Sequence, residues 1–253
     1  MLNPISFRRF TVVATLVPLS LVQGGEAKAS GSRQALALSL VRPVTLAASL
    51  VDHSLIQDGA GKAIDQAVAA YAQVRTARAT FEQTITNSLT GTKLSSRGEF
   101  QQARPDRFAF RFAEPKGDVI VSDGKNVWIY LPSSAPGQVM RSPVSADAAG
   151  SLDMIGEFFS NPRTRYTIAD GGAVTLDGRS VRVVSLTPKG QAATFTKARV
   201  WIDAADGTLR QFEAVEPSGI TRVVKITHFS ANAAVGPDAF AFKAPKGVRI
   251  VER

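Results

Sequence analysis

"ARPDRFAFRF" (residues 103–112) decides how this chain folds. Phe108, Phe110 and Phe112 alternate with Ala109 and Arg111, so on a β-strand the three rings share one face. Arg104 and Pro105 stand just ahead of them. A row of phenylalanines must be kept from water. It packs a core, or it lines a surface that something greasy occupies, and the row alone leaves both open.

Similar strands extend in both directions. Phe81–Leu89 runs to a turn at Gly91, and Ser95–Gln102 precedes the phenylalanine row. Val119–Ser122 and Asn126–Leu131 flank an Asp-Gly turn at 123–124. Further strands are expected at 165–169, 173–176, 181–187, 195–202, 208–216 and 221–229, with Asp-Gly turns at 170–171, 177–178 and 206–207. Trp128 and Tyr130 form a second aromatic row. Phe195, Trp201 and Phe212 follow, and Phe240 and Phe242 alternate near the end. Helical spacing is confined to two places. Ile64, Val68, Tyr71 and Val74 recur from Lys62 to about Ala79, and Leu152, Ile155 and Phe159 share a face within 145–159. The class is mainly β: a curled antiparallel sheet with two or three helices. So few helices cover the apolar face of such a sheet only in part. The uncovered remainder would be an apolar cavity, the usual form of a small-molecule or lipid site.

The amino terminus reads as an export signal over residues 1–29. Arg8 and Arg9 precede an apolar run (10–22) too short to span a bilayer, and Ala27-Lys28-Ala29 fits a cleavage site. The expected compartment is the periplasm. Residues 30–61 read as a poorly structured extension ending in the linker "DGAG" (58–61), and 62–253 as the functional domain. Of the formal charge of +9, residues 1–29 carry +2, leaving +7. That balance suits an acidic partner or an anionic membrane surface. No basic-aromatic pattern points to nucleic acid.

Catalysis finds little support. There is no cysteine, and His53 and His228 are the two histidines. No Ser-His-Asp set can be placed. "SDGK" (122–125) sits in a hairpin turn rather than at a helix start. The Asp-Gly pairs lack calcium-loop spacing, and "GAGK" (59–62) lacks the parts of a phosphate loop. Neither enzyme activity, cofactor nor metal is expected.

From about Ala63 to Glu252 the chain resembles the periplasmic outer-membrane lipoprotein carriers, the LolA family. The resemblance rests on "FEQTIT" (81–86), "RPDRFAFRF" (104–112), "EPKGDVIVSDGKNVWIYLP" (114–132), "LTPKG" (186–190), "IDAADGTLRQFEAVE" (202–216) and "FAFKAPKGVRIV" (240–251), in matching order. It implies an unclosed β-barrel with helices as a lid over an apolar cavity. It also implies a monomeric carrier that takes acylated lipoproteins from an inner-membrane ABC-type releasing complex to an outer-membrane acceptor, or to the outer membrane itself. By motif, Arg104 matches an arginine that helps control lid opening. Phe108 matches a rim aromatic linked to cargo retention, and Trp128 a strand tryptophan. The expected cargo-binding set is Arg104, Phe108, Phe110, Phe112, Trp128, Tyr130, Leu152 and Ile155. A shuttle for another lipid or glycolipid, and an envelope domain that senses lipoproteins, are the alternatives.

Overall fold

A computed structural model describes residues 53–144, 155–190 and 194–252. The expected signal peptide, most of the extension and Leu152 lie outside these residues. Helix α1 (His53–Ala72) is followed by β1 (Thr76–Asn87), β2 (Lys93–Ala103), β3 (Arg107–Glu114), β4 (Val119–Asp123), β5 (Asn126–Tyr130) and β6 (Gln138–Pro143). Two helical turns, α2 (Gly156–Phe159) and α3 (Pro162–Arg165), lead into a second run of strands. These are β7 (Tyr166–Leu176), β8 (Arg179–Pro188), β9 (Lys197–Asp203), β10 (Leu209–Val215) and β11 (Ile220–Ala231). A 3-10 turn (Pro237–Phe240) precedes β12 (Arg249–Glu252).

The twelve strands make one sheet in the order β12-β6-β5-β4-β3-β2-β1-β11-β10-β9-β8-β7. Two consecutive meanders are joined where β11 returns to pair with β1. Every pairing is antiparallel except β12 with β6. The outermost strands, β12 and β7, each pair with one neighbour, so the sheet is unclosed. It is nonetheless curled. In a flat sheet β4 and β10, five places apart, would lie about 24 Å from each other. Here Ile120 of β4 and Phe212 of β10 line the same cavity.

Alternation explains the strands. In β1, Ala77, Ala79 and Phe81 are buried, and their cross-strand neighbours Gln102, Phe100 and Gly98 are buried with them. This period of two ends α1 at Ala72 rather than near Ala79, because from Thr76 the backbone bonds to β2 and β11. At its other end α1 begins at His53, so the expected linker "DGAG" is helical. Its glycines serve close approach. A Cβ at Gly59 would lie 2.7 Å from Arg182 Cζ, and one at Gly61 would lie 3.1 Å from Arg163 Nη2. Asp170-Gly171 is likewise not a turn between strands. It sits inside β7, where the register against β8 shifts between Asp170 and Ala173, a bulge that keeps one long strand continuous. The Asp-Gly pairs at 123–124, 177–178 and 206–207 do join strands, as expected.

Gly98 is the tightest point of the inner face. It stands opposite Phe112 and Phe81, next to a register shift in β2. A Cβ there would come within 2.9 Å of Phe112 Cα and closer still to the Arg111 carbonyl oxygen. Backbone cannot yield as a flexible side chain can. Gly98→Ala should therefore destabilise the protein by about 1–3 kcal/mol, the usual effect of overpacking. Denaturant unfolding checks this, and a midpoint equal to that of the parent protein would contradict the packing described.

Candidate functional site: an apolar cavity under the helices

The inner face of the sheet follows from register. Phe110 lies opposite Phe100 on β2 and Ile120 on β4, and Ile120 lies opposite Ile129 on β5. Phe81 meets the rings of Phe110 and Phe112 edge-on, with centroids 5.9 and 5.6 Å apart. From the other half of the sheet come Phe212 and Val224, neighbours across β10 and β11. Phe158 of α2 closes over them, 5.0 Å from Phe212 and 5.7 Å from Phe195. These rings surround a cavity of about 390 Å³. Its lining passes from buried Phe81, Phe110, Phe158, Phe195 and Phe212 to half-exposed Gln83, Phe112, Glu157, Glu216 and Arg222, so it runs from the core to the surface. A second cavity of about 180 Å³ lies under α1, walled by Ala67, Tyr71, Ile155, Phe159, Leu209 and Phe229 among others.

Helix α1 forms the cover on this side. It packs on β7, β8, β9 and α2. Its buried face is Ala60, Ala63, Ile64, Ala67 and Tyr71, one helical stripe. Three of these five are alanines, so the stretch from Gly59 to Ala72 buries little apolar area. Polar contacts fasten its edges. Arg163 forms a two-pronged pair with Asp65, at 3.1 and 2.7 Å. The Asp206-Gly207 turn abuts it, with space at Gly207 so small that a Cβ would lie 2.8 Å from the Gln66 carbonyl oxygen.

Arg104 holds the carboxyl end. Its Nη1 donates to the carbonyl oxygens of Tyr71 and Val74, both at 3.3 Å. Its guanidinium lies 4.3 Å from the centre of the Tyr71 ring. The last turn of α1 contains no basic residue of its own. Arg104 thus brings a cation to the negative end of the helix from the start of the phenylalanine row.

The expected site residues separate into groups. Phe110 and Phe112 line the larger cavity. Phe108 is on the same face but is 3% exposed and packs against Phe110 in the core. Ile155 is buried and lines the smaller cavity. Trp128 and Tyr130 are not brought to either one. Trp128 lies opposite Val121, which lies opposite Ala109, and all three belong to the other face of the sheet. There the carboxy-terminal segment covers them: Phe242 contacts Trp128 at 5.5 Å and Tyr130 at 6.0 Å. Trp128 Nε1 donates to Asp123 Oδ2 at 3.0 Å. Burial pushes the Asp123 carboxyl up, but the N–H groups of Asn126, Trp128 and Lys125 outweigh it and leave the group below its usual range. This tryptophan fastens a turn.

Sequence reading missed the polar part of the lining: Gln83, Glu157, Thr194, Glu216 and Arg222. Arg222 Nη1 donates to Gln83 Oε1 (2.9 Å) and Nη2 to Glu216 Oε1 (3.2 Å). Glu157 accepts from Arg165 Nη2 at 2.8 Å and from the Tyr166 hydroxyl at 3.1 Å. Burial, and then the Glu157 charge, raise the Tyr166 hydroxyl above its ordinary value, so it remains a neutral donor. The signal was present in the alternation, since Arg222 shares a face with Val224 and Ile226.

The described residues thus define an unclosed β-sheet protein with an apolar cavity under a helical cover. The family model of the outer membrane lipoprotein carrier protein LolA matches residues 72–243, and the chain belongs to that family. It is 30% identical to the outer-membrane lipoprotein carrier protein of Methylibium petroleiphilum, over 75% of this chain and 89% of that one. It is also 30% identical to the protein of the same description from Ralstonia nicotianae, over 76% and 87%. Among solved structures it is similar to an uncharacterized conserved protein from Thermus thermophilus. That match has a TM-score of 0.49 and 16% identity, covering 77% of this chain and 99% of that one.

Arg104→Leu removes the bonds to the Tyr71 and Val74 carbonyls and the cation over the Tyr71 ring. Amide exchange at Gln73 and Val74 should then quicken relative to the core strands β9 and β10. Unchanged exchange there would show that Arg104 does not hold the end of the helix.

Proposed function

We propose that this chain carries acylated lipoproteins across the periplasm, from the inner to the outer membrane, with the acyl chains sequestered between the sheet and its helical cover. The observation that carries the reading is the ring-lined cavity, open to the surface at a polar mouth. Family membership agrees with it. Residues 1–29 act as the export signal. Cargo arrives from an ABC-type releasing complex in the inner membrane and leaves to an outer-membrane acceptor or to that membrane directly. The carrier works as a monomer, without catalysis.

The energetics favour a light cover. Burying a methylene is worth about 0.8 kcal/mol, so three long acyl chains supply tens of kcal/mol gross. A membrane supplies nearly the same. The carrier must therefore match a bilayer approximately and then lose to the next acceptor, so a rigid, deep cavity would retain cargo. Taking chains in beneath α1 requires that helix to shift. An alanine-rich underside and exposed ion pairs resist that weakly. The Arg104 bonds to the carbonyls of Tyr71, in the last turn of α1, and of Val74, just past it, are the latch that gives way.

Mass spectrometry of protein purified from the periplasm tests the reading. A bound protein fragment whose amino-terminal cysteine bears three acyl chains is the expected result. Glycolipid or phospholipid alone would overturn it in favour of a lipid shuttle.

A further inference from the structure

The mouth of the larger cavity carries a hydrogen-bonded row that crosses three strands and ends at a residue just past a fourth. Gln83 Nε2 on β1 donates to Ser96 Oγ on β2 at 3.1 Å. Arg222 on β11 donates to Gln83, and to Glu216 just beyond β10. Register places the row on the inner face. Gln83 lies opposite Val224, and Arg222 lies opposite Ala214, which itself lines the cavity. A wall that only had to be greasy would carry leucine or methionine here. Polar groups at such a position cost stability unless paired, and these are paired with one another.

The charges are balanced in a particular way. Among the described residues, Arg222 is the one basic side chain in the lining, and Glu216 neutralises it. Glu157, also in the lining, is neutralised by Arg165. No unmatched cation among these residues faces the cavity, and two carboxylates do. A phosphate or a free fatty-acid carboxylate placed at the mouth would therefore find no unpaired cation to offset its loss of water. An uncharged head fits. A guanidinium has five N–H groups, and the bonds of Arg222 to Gln83 and Glu216 engage two of its nitrogens. The remaining donors can serve ester carbonyls. The unused lone pairs of Glu216 and Glu157 can accept an amide N–H.

We infer that the Ser96–Gln83–Arg222–Glu216 row, with Glu157, seats the uncharged ester and amide linkages of an acylated amino-terminal residue and disfavours anionic lipid heads. The inference rests on the carrier reading above and extends it to the choice of cargo. The acyl chains then lie along Phe81, Phe110, Phe112 and Phe212, and the peptide leaves past the half-exposed rim.

Competition against a bound apolar fluorophore, N-phenyl-1-naphthylamine, tests this on the full mature chain. The competitors are a synthetic peptide with a tripalmitoylated amino-terminal cysteine, palmitate and a phosphatidylglycerol. The parent protein should prefer the lipopeptide. Arg222→Met and Gln83→Met should weaken the lipopeptide about tenfold, the loss expected for a hydrogen bond to a charged group, while the fluorophore binds as well or better. Glu216→Gln, nearly isosteric and suitable should Arg222→Met fail to fold, should strengthen palmitate several-fold by freeing the guanidinium. Parallel loss of lipopeptide and fluorophore, or no change in either, would overturn the assignment. So would palmitate or phosphatidylglycerol competing as well as lipopeptide against the parent. A parent protein that binds the fluorophore but no lipopeptide would remove the carrier reading itself.

Discussion

An excess of apolar inner face over the means to cover it governs this molecule. Twelve strands curl until β4 and β10 face one hollow. Against that surface the described residues supply a helix of twenty residues and two of four. Aromatic rings fill part of the difference by packing edge-on. The rest remains as space. Both cavities follow from this mismatch, and α2 serves both, with Phe158 facing the larger and Phe159 the smaller.

The cover is attached in a way that suits its place. From Gly59 on, its buried stripe is mostly alanine, and the contacts that hold it there are polar and reach its backbone or its edge. Arg104 binds terminal carbonyls, Arg163 binds Asp65, and Gly59, Gly61 and Gly207 let their neighbours approach closely. Such contacts set position sharply and cost little to break in water. The opposite face of the sheet is closed differently. There Phe240 and Phe242 of the carboxy-terminal segment pack over β3 to β5, Arg111 binds the carbonyls of Ala239 and Ala241, and Arg141 pairs with Glu252. Over β3 to β5 the outer face is sealed, whereas the inner face is hollow.

The mainly β class, the unclosed sheet and the inner row of phenylalanines were legible because period-two alternation is a strong local signal. Alternation tells which residues share a face but not which face is inward. That is why Trp128 and Tyr130 were grouped with Phe110, although register through β3, β4 and β5 sets them opposite. Glycine misled twice for one reason. At 58–61 and 170–171 it signalled a break, whereas the folded chain uses it for close approach inside a helix and for a bulge inside a strand. Strand β12 escaped notice because it is four residues long and is defined by pairing with a segment more than a hundred residues away. The polar mouth was legible in principle, as a charged residue in phase with Val224 and Ile226.

A hollow inner face backed, over β3 to β5, by a sealed outer one is the central claim, and site-specific photocrosslinking in cells tests it directly. A benzophenone side chain at Phe112, in the cavity wall, should capture acylated lipoprotein. The same group at Tyr130, on a neighbouring part of the sheet but the other face, should capture none. Equal capture at both positions, or capture at Tyr130 alone, would contradict the account.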